Sequence, residues 1–150
     1  SEWLINEGRI TIIYEVGSEV RRVYLDGREP PEYIPHSPMG YSTGYWEGGT
    51  FVIETTLLSR NVRDFLGEPV SENAKFVERY QLNGDGTILT AVMTLHDPEN
   101  YLRPPLRRRQ WHRDADAVLF PYECDPDSFF RQLYDEGKMQ EYIDRADRRL

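Results

Sequence analysis

The sequence predicts an all-β protein, an antiparallel β-barrel carrying a C-terminal α-helical extension, and three observations lead there. Short runs rich in β-branched and aromatic residues recur between residues 9 and 124, each bounded by Gly, Asn, Asp or Pro. No helix-length periodic segment separates them, so successive runs pair as hairpins in a meander, and closing such a sheet removes its exposed edges. Apolar residues adopt helical spacing only after Asp125. The alternative architecture is a curved open sheet covered by the C-terminal helix.

Arg9 to Val16 (RITIIYEV) and Glu19 to Leu25 (EVRRVYL) read as two strands joined tightly at Gly17-Ser18. Asp26-Gly27 ends the second, and Pro30, Pro31, Pro35 and Pro38 exclude regular structure up to Met39. Met39 to Thr56 (MGYSTGYWEGGTFVIETT) is a hairpin: Gly48-Gly49 can supply positive φ angles at the turn, and Phe51 to Thr56 has the character of a half-buried strand. Leu58 to Asn73 reads as a long connection with one helical turn over Val62 to Leu66. Lys75 to Leu82 (KFVERYQL) and Thr87 to Leu95 (TILTAVMTL) flank Asn83-Gly84-Asp85-Gly86, the strongest hairpin signal in the chain. Leu106 to His112 and Ala117 to Cys124 make the last strand pair. From about Ser128 onward Phe129, Phe130, Leu133, Tyr134, Met139, Tyr142 and Ile143 recur at helical spacing, with Gly137 dividing the stretch into two helices. The expected organisation is thus a barrel domain over 1–125 and a helical segment over 126–150, packed on the barrel or on a partner.

A chain of 150 residues is large enough to bury a core without metal or disulfide support. Its net charge of -8 argues against nucleic-acid and anionic-membrane partners, both of which need a positive field. Arg107-Arg108-Arg109 does not change this, because on a strand the run splits between two faces. Three histidines without metal-ligand spacing and the lone Cys124 predict no metal, and no cofactor motif is present. Cys124 and the first residues, which lack the basic-then-apolar pattern of a signal segment, leave the compartment open: a soluble protein, cytoplasmic or exported.

Candidate functional residues are polar groups sharing a strand face with large apolar ones. Phe76, Glu78, Tyr80 and Leu82 share one face of their strand. Val52, Glu54 and Thr56 share a face of another, and Val20, Arg22 and Tyr24 of a third. Arg22, Tyr24, Glu54, Glu78 and Tyr80 are therefore expected to line one cavity. A carboxylate turned into an apolar cavity needs a partner, and burial pushes it toward general acid–base work, which makes Glu54 and Glu78 the acid–base candidates. The alternative is that each simply pairs with an arginine such as Arg22 or Arg107, or faces water. Tyr24 and Tyr41 are placed as hydrogen-bond donors to a carbonyl, His36 in the rigid Pro-rich loop as a proton shuttle, and Arg22 as the group orienting a polar substituent. Tyr45, Trp46, Tyr80 and Phe120 are expected to wall the pocket.

Met39-Gly40-Tyr41-Ser42, Gly44, Trp46-Glu47-Gly48 and Thr50 to Thr55 together resemble a widespread family of small bacterial proteins with the pattern MGxSxGxWEGDTLVVDT. The resemblance extends to Val23-Tyr24-Leu25-Asp26-Gly27-Arg28, to Ser71-Glu72 with Glu78-Arg79-Tyr80, and to Asp97-Pro98 with Tyr101 and Pro104. This chain has Gly49 where the family tends to have Asp, and Tyr41 where His is frequent. The resemblance implies a lipocalin-like (calycin) β-barrel and transfers no reaction.

The function expected from these residues is a small cofactor-independent enzyme of the lyase, isomerase, dehydratase or cyclase type, acting by proton transfer on an aromatic or polycyclic molecule held in the barrel. Two other readings stand beside it: a non-catalytic carrier of a hydrophobic ligand, and an interaction protein docking a partner or a second copy through its C-terminal helices.

Overall fold

The computed structural model describes residues 1–62, 67–120, 122 and 126–147. The chain divides into two compact units, Ser1–Phe120 and Pro121–Leu150. Among its described residues the first has ten strands: β1 (Glu2–Asn6), β2 (Arg9–Ile13), β3 (Val20–Tyr24), β4 (Tyr41–Glu47), β5 (Thr50–Thr56), β6 (Asn61–Val62), β7 (Pro69–Val70), β8 (Lys75–Leu82), β9 (Ile88–His96) and β10 (Leu106–His112). Eight of them form one strongly curled sheet, a half-barrel, in the order β1-β2-β3-β4-β5-β8-β9-β10, while β6 and β7 pair separately. The second unit holds α1 (Pro126–Asp135) and α2 (Met139–Asp147), separated around Gly137, with Phe130 and Tyr142 meeting edge to face at 6.1 Å.

Residues directly opposite one another across paired strands point to the same face, so the register defines the concave surface row by row. Trp46, Phe51, Tyr80 and Ala91 make one row; Gly44, Ile53, Glu78 and Met93 the next; Ser42, Thr55, Phe76 and Leu95 the third. Ile10, Ile12 and Val23 continue the surface toward β1 and form the main core with Phe51, Ile53, Tyr80 and Ala91. A smaller core of Val70, Ala74 and Leu95 lies under β7 and the turn that follows it.

Several expectations are corrected here. The sheet is not a pure antiparallel meander: β3 and β4 run parallel, paired only through Val23 with Ser42 and Tyr24 with Thr43. The Pro-rich connection between them is long enough to return the chain to the same end of the sheet, as a parallel pair requires. Glu2–Asn6 is a strand that the sequence reading passed over, turned into β2 at Glu7-Gly8. Residues 117–120 form no strand, and Cys124 lies outside the described residues. Val62 belongs to β6, and the remainder of the helical turn expected there also lies outside them.

Two glycines of the Met39–Thr56 stretch are required by space. Gly40 takes φ +58, and a Cβ there would sit 2.4 Å from the Thr56 carbonyl oxygen. A Cβ on Gly44 would lie 2.7 Å from the Phe51 ring and 2.8 Å from Val23, so β4 can cross the core only without a side chain at that point.

A side-chain clasp joins the chain before β8 to the chain after β9. The Asp97 carboxylate is buried and accepts from the Ser71 N–H, the Ser71 hydroxyl and the Asn100 amide, each at 2.8 Å, while the Tyr101 hydroxyl donates to the Pro69 carbonyl at 2.9 Å. Burial alone would raise Asp97, but the donors from Asn100 and Ser71 prevail and hold it below the ordinary carboxylate value.

Candidate functional site

β3 has consecutive arginines, and the curl of the sheet turns Arg21 inward and Arg22 outward. Arg21 is 6% exposed and Glu78 2%. Arg21 Nη2 donates to Glu78 Oε2 and to Thr55 Oγ1, both at 2.5 Å, and Nε donates to Ser42 Oγ at 2.9 Å. The Ser42 and Thr55 hydroxyls are themselves 2.9 Å apart. From the other side the Tyr80 hydroxyl donates to Glu78 Oε1 at 2.8 Å. The network ties β3, β4, β5 and β8 together through side chains alone.

Its electrostatics follow from burial and pairing. Burial opposes the Arg21 charge, but the Glu78 carboxylate, helped by Tyr14, outweighs it and raises the guanidinium above its ordinary value. Burial first, and then the charge and hydrogen bond of Glu78, raise the Tyr80 phenol well above its ordinary value, so Tyr80 serves as a neutral donor.

The ion pair separates two cavities. Glu78 and Tyr80 belong to a cleft of about 630 Å³, walled by Trp3, Leu89, Met93 and Trp111 and rimmed by His112, Arg113 and Asp114. Trp3 meets the Tyr80 ring edge to face at 5.1 Å, and Trp111 lies 6.3 Å from it. The first and last strands of the sheet therefore approach each other around one phenol instead of through backbone hydrogen bonds. Arg21 and Thr55 belong to a smaller chamber of about 190 Å³, lined also by Met39, Leu58, Val70 and Phe76.

Of the residues singled out from sequence, Glu78, Tyr80 and Trp46 lie on the concave face, with Trp46 at its rim, 68% exposed and 5.1 Å from Phe51. The others do not join them. Glu54 lies on the opposite face, paired with Lys75 at 2.7 Å and reached by the Tyr45 hydroxyl at 3.4 Å. Turning Phe51 and Ile53 inward buries more apolar surface than turning Val52 inward, and that choice sends Glu54 out. Tyr45 follows it outward, its phenol raised by partial burial and then by the charge of Glu54. Arg22 and Tyr24 face outward with it. Tyr24 stacks on Tyr41 at 5.1 Å under the Arg28 guanidinium, so these two tyrosines do meet, but on the convex side. Burial and then Tyr24 raise the Tyr41 phenol.

His36 uses its Nδ1–H on the Leu58 carbonyl at 2.9 Å, fastening the Pro-rich loop to the chain after β5. Phe120 is 70% exposed, its N–H pointing to the Glu15 carboxylate at 3.4 Å. Arg107 pairs with Glu68 at 2.6 Å, and the register sets Arg107 and Arg109 opposite Met93 and Ala91 on one face and Arg108 on the other, so the arginine run divides between faces as expected.

The residues that sequence reading missed are Trp3, Tyr14, Arg21, Ser42, Thr55 and Trp111. Trp111 shares strand parity with Arg107 and Arg109, and Trp3 alternates with Ile5; both were visible as period-two patterns. Arg21 turns inward with Val23, on the parity that faces Ile12 of β2 and Glu78 of β8, whereas Arg22 takes the outer face.

Among the described residues no three His, Cys, Asp or Glu side chains converge as metal ligands, and no helix is long and apolar enough to cross a membrane. Comparison with protein-family models, with curated proteins and with solved structures returns no match to the chain.

Proposed function

We propose that this protein binds a flat aromatic small molecule in the cleft between its first and last strands, with the Glu78–Tyr80 pair at the polar end of the site. One observation carries the reading: a cleft of about 630 Å³ has tryptophans from both terminal strands on its walls and one buried, hydrogen-bonded carboxylate in its lining. Apolar walls with a few convergent polar groups are the common form of a small-molecule site. Trp3 and Trp111 supply ring faces for stacking, and Glu78 accepts a hydrogen bond from a ligand hydroxyl.

Binding without chemistry is favoured, because Arg21 and Tyr80 already occupy one carboxylate oxygen of Glu78 each. The second reading is a cofactor-independent proton-transfer enzyme, in which Glu78 takes the substrate proton and the Tyr80 hydroxyl, turning from Glu78, donates to the developing enolate. What favours it is the 2.8 Å contact between an acid and a phenol inside the same cleft. Membership in the small bacterial family that Met39–Thr56 resembles belongs to this proposal. The packing of Gly40 and Gly44 and the bond that Ser42 accepts from Arg21 give that stretch a structural reason.

Calorimetric titration with 2-naphthol tests binding. Saturable heat that falls about tenfold in affinity in Trp111→Ala is the expected result; no heat, or identical affinity in the variant, refutes the cleft as the site. The two readings separate with 2-tetralone in deuterated buffer. Exchange of its α-protons above the buffer rate, lost in Glu78→Gln with binding retained, establishes proton transfer, and exchange at the buffer rate leaves a binding protein.

A further inference from the structure

The smaller chamber is not part of the aromatic cleft. It lies on the Arg21 side of the ion pair, under the loop that joins β3 to β4; its apolar walls include Met39, Leu58, Val70 and Phe76, and its polar groups are Arg21 and Thr55 at the ion pair with Ser59 and Asn61. Three features mark it as built. Its volume of about 190 Å³ exceeds the roughly 150 Å³ at which an apolar cavity accepts a benzene ring. Its mouth is held in place by hydrogen bonds from the Ser37 N–H to the Leu57 carbonyl at 3.0 Å and from the Ser59 N–H to the Ser37 carbonyl at 2.9 Å, beside the His36–Leu58 bond. Leu57 beside that mouth takes φ +53, a left-handed conformation that strains a non-glycine residue and that accumulates at ligand clamps.

We infer that this chamber is a second ligand site, for a neutral molecule of single-ring size carrying one hydrogen-bond acceptor. A neutral acceptor meets the Arg21 and Thr55 donors without competing with Glu78 for the guanidinium. An anion would pull Arg21 from its buried partner and leave a carboxylate uncompensated, which is costly at 2% exposure. Arg21 lines one cavity and Glu78 the other, so a single 2.5 Å contact stands between the two sites.

The three methionines report the sites separately. Met39 lines the chamber, Met93 lines the cleft, and Met139 starts α2. In protein labelled with carbon-13 at the methionine methyls, cyclohexanone is expected to shift the Met39 resonance saturably and to leave Met139 in place. Val70→Phe, which fills the chamber, weakens that response about tenfold or more, while 2-naphthol still shifts Met93. Leu58→Trp is the second filling variant, placed at the half-buried mouth for the case in which the Val70 variant does not fold. A Met39 resonance unmoved up to the solubility of cyclohexanone, or a Met39 response unchanged in a folded filling variant, overturns the inference. Failure of 2-naphthol to shift Met93 overturns the cleft reading and leaves the chamber standing.

Discussion

Replacing Arg21 by Met and Glu78 by Leu, singly and together, measures what the buried pair does for the fold. Each single change strands the other charge in the interior, which costs about 3–5 kcal/mol, so additive singles would sum to about 6–10 kcal/mol. Native domains hold only about 5–15 kcal/mol in total, and each single variant is expected near the edge of stability. The double change removes both charges at similar volume. The Ser42 and Thr55 hydroxyls keep each other as partners at 2.9 Å, and the remaining losses are the Tyr80 hydroxyl's acceptor, about 1–3 kcal/mol, and the Tyr14 contact with Arg21. Urea denaturation followed by tryptophan fluorescence should therefore find the double variant more stable than either single one. Where a single variant unfolds outright, cooperative unfolding of the double variant makes the same point. Additivity within about 0.5 kcal/mol would refute the reasoning, because it would mean that the two charges do not depend on each other.

Three further outcomes are expected. Tyr80 is raised above 10.0 in the folded chain, so its contribution is complete below pH 10.0 and is lost as pH rises beyond it; each pH unit above 10.0 costs up to about 1.4 kcal/mol, and in Tyr80→Phe the alkaline slope of stability should flatten. Asp97 is lowered, so its contribution is present above pH 3.8 and is lost as pH falls through the folded value; Asp97→Asn should cost about 1–3 kcal/mol at neutral pH and shrink the acid slope, and an unchanged acid transition would remove Asp97 as its cause. Gly44→Ala should cost about 1–3 kcal/mol by thermal or urea melting, against less than about 0.5 kcal/mol for Gly49→Ala, whose added Cβ would meet nothing within 4 Å; equal losses would contradict the packing account.

The parts of this fold that were legible in the sequence are those decided locally. Asn83-Gly84-Asp85-Gly86 specifies its own turn: the Asn83 side chain accepts from the N–H groups of Thr87 and Ile88, so the β8–β9 hairpin is encoded within six residues. The break between α1 and α2 is likewise written at Gly137, which takes φ +67. The parallel pairing of β3 with β4 depends instead on where a Pro-rich loop delivers the chain, and no local pattern announces that. Site residues divide in the same way. Glu78 is flanked at even spacing by Phe76 and Tyr80, and strand parity alone turns it inward. For Arg21 against Arg22, and for Glu54 against Thr55, both parities offered a polar residue beside an apolar one, and burial of the neighbouring strands made the choice.

The parallel junction of β3 and β4 also bears on motion. Two residue pairs are few for neighbours in a curled sheet, so β1, β2 and β3 form a three-stranded wing held to the rest less by backbone pairing than by side chains, with Ile10, Ile12 and Val23 packed in the main core. The Arg21 side chain crosses that seam to Ser42, Thr55 and Glu78. A rivet of this kind makes the wing a cooperative opening unit: amide protons of β1 to β3 should exchange together, ahead of those in β5 and β8. Swinging the wing would carry Trp3 away from Tyr80 and unpack Ile10, Ile12 and Val23 from Phe51 and Ile53, without breaking a hydrogen bond between strands of the β4–β10 body.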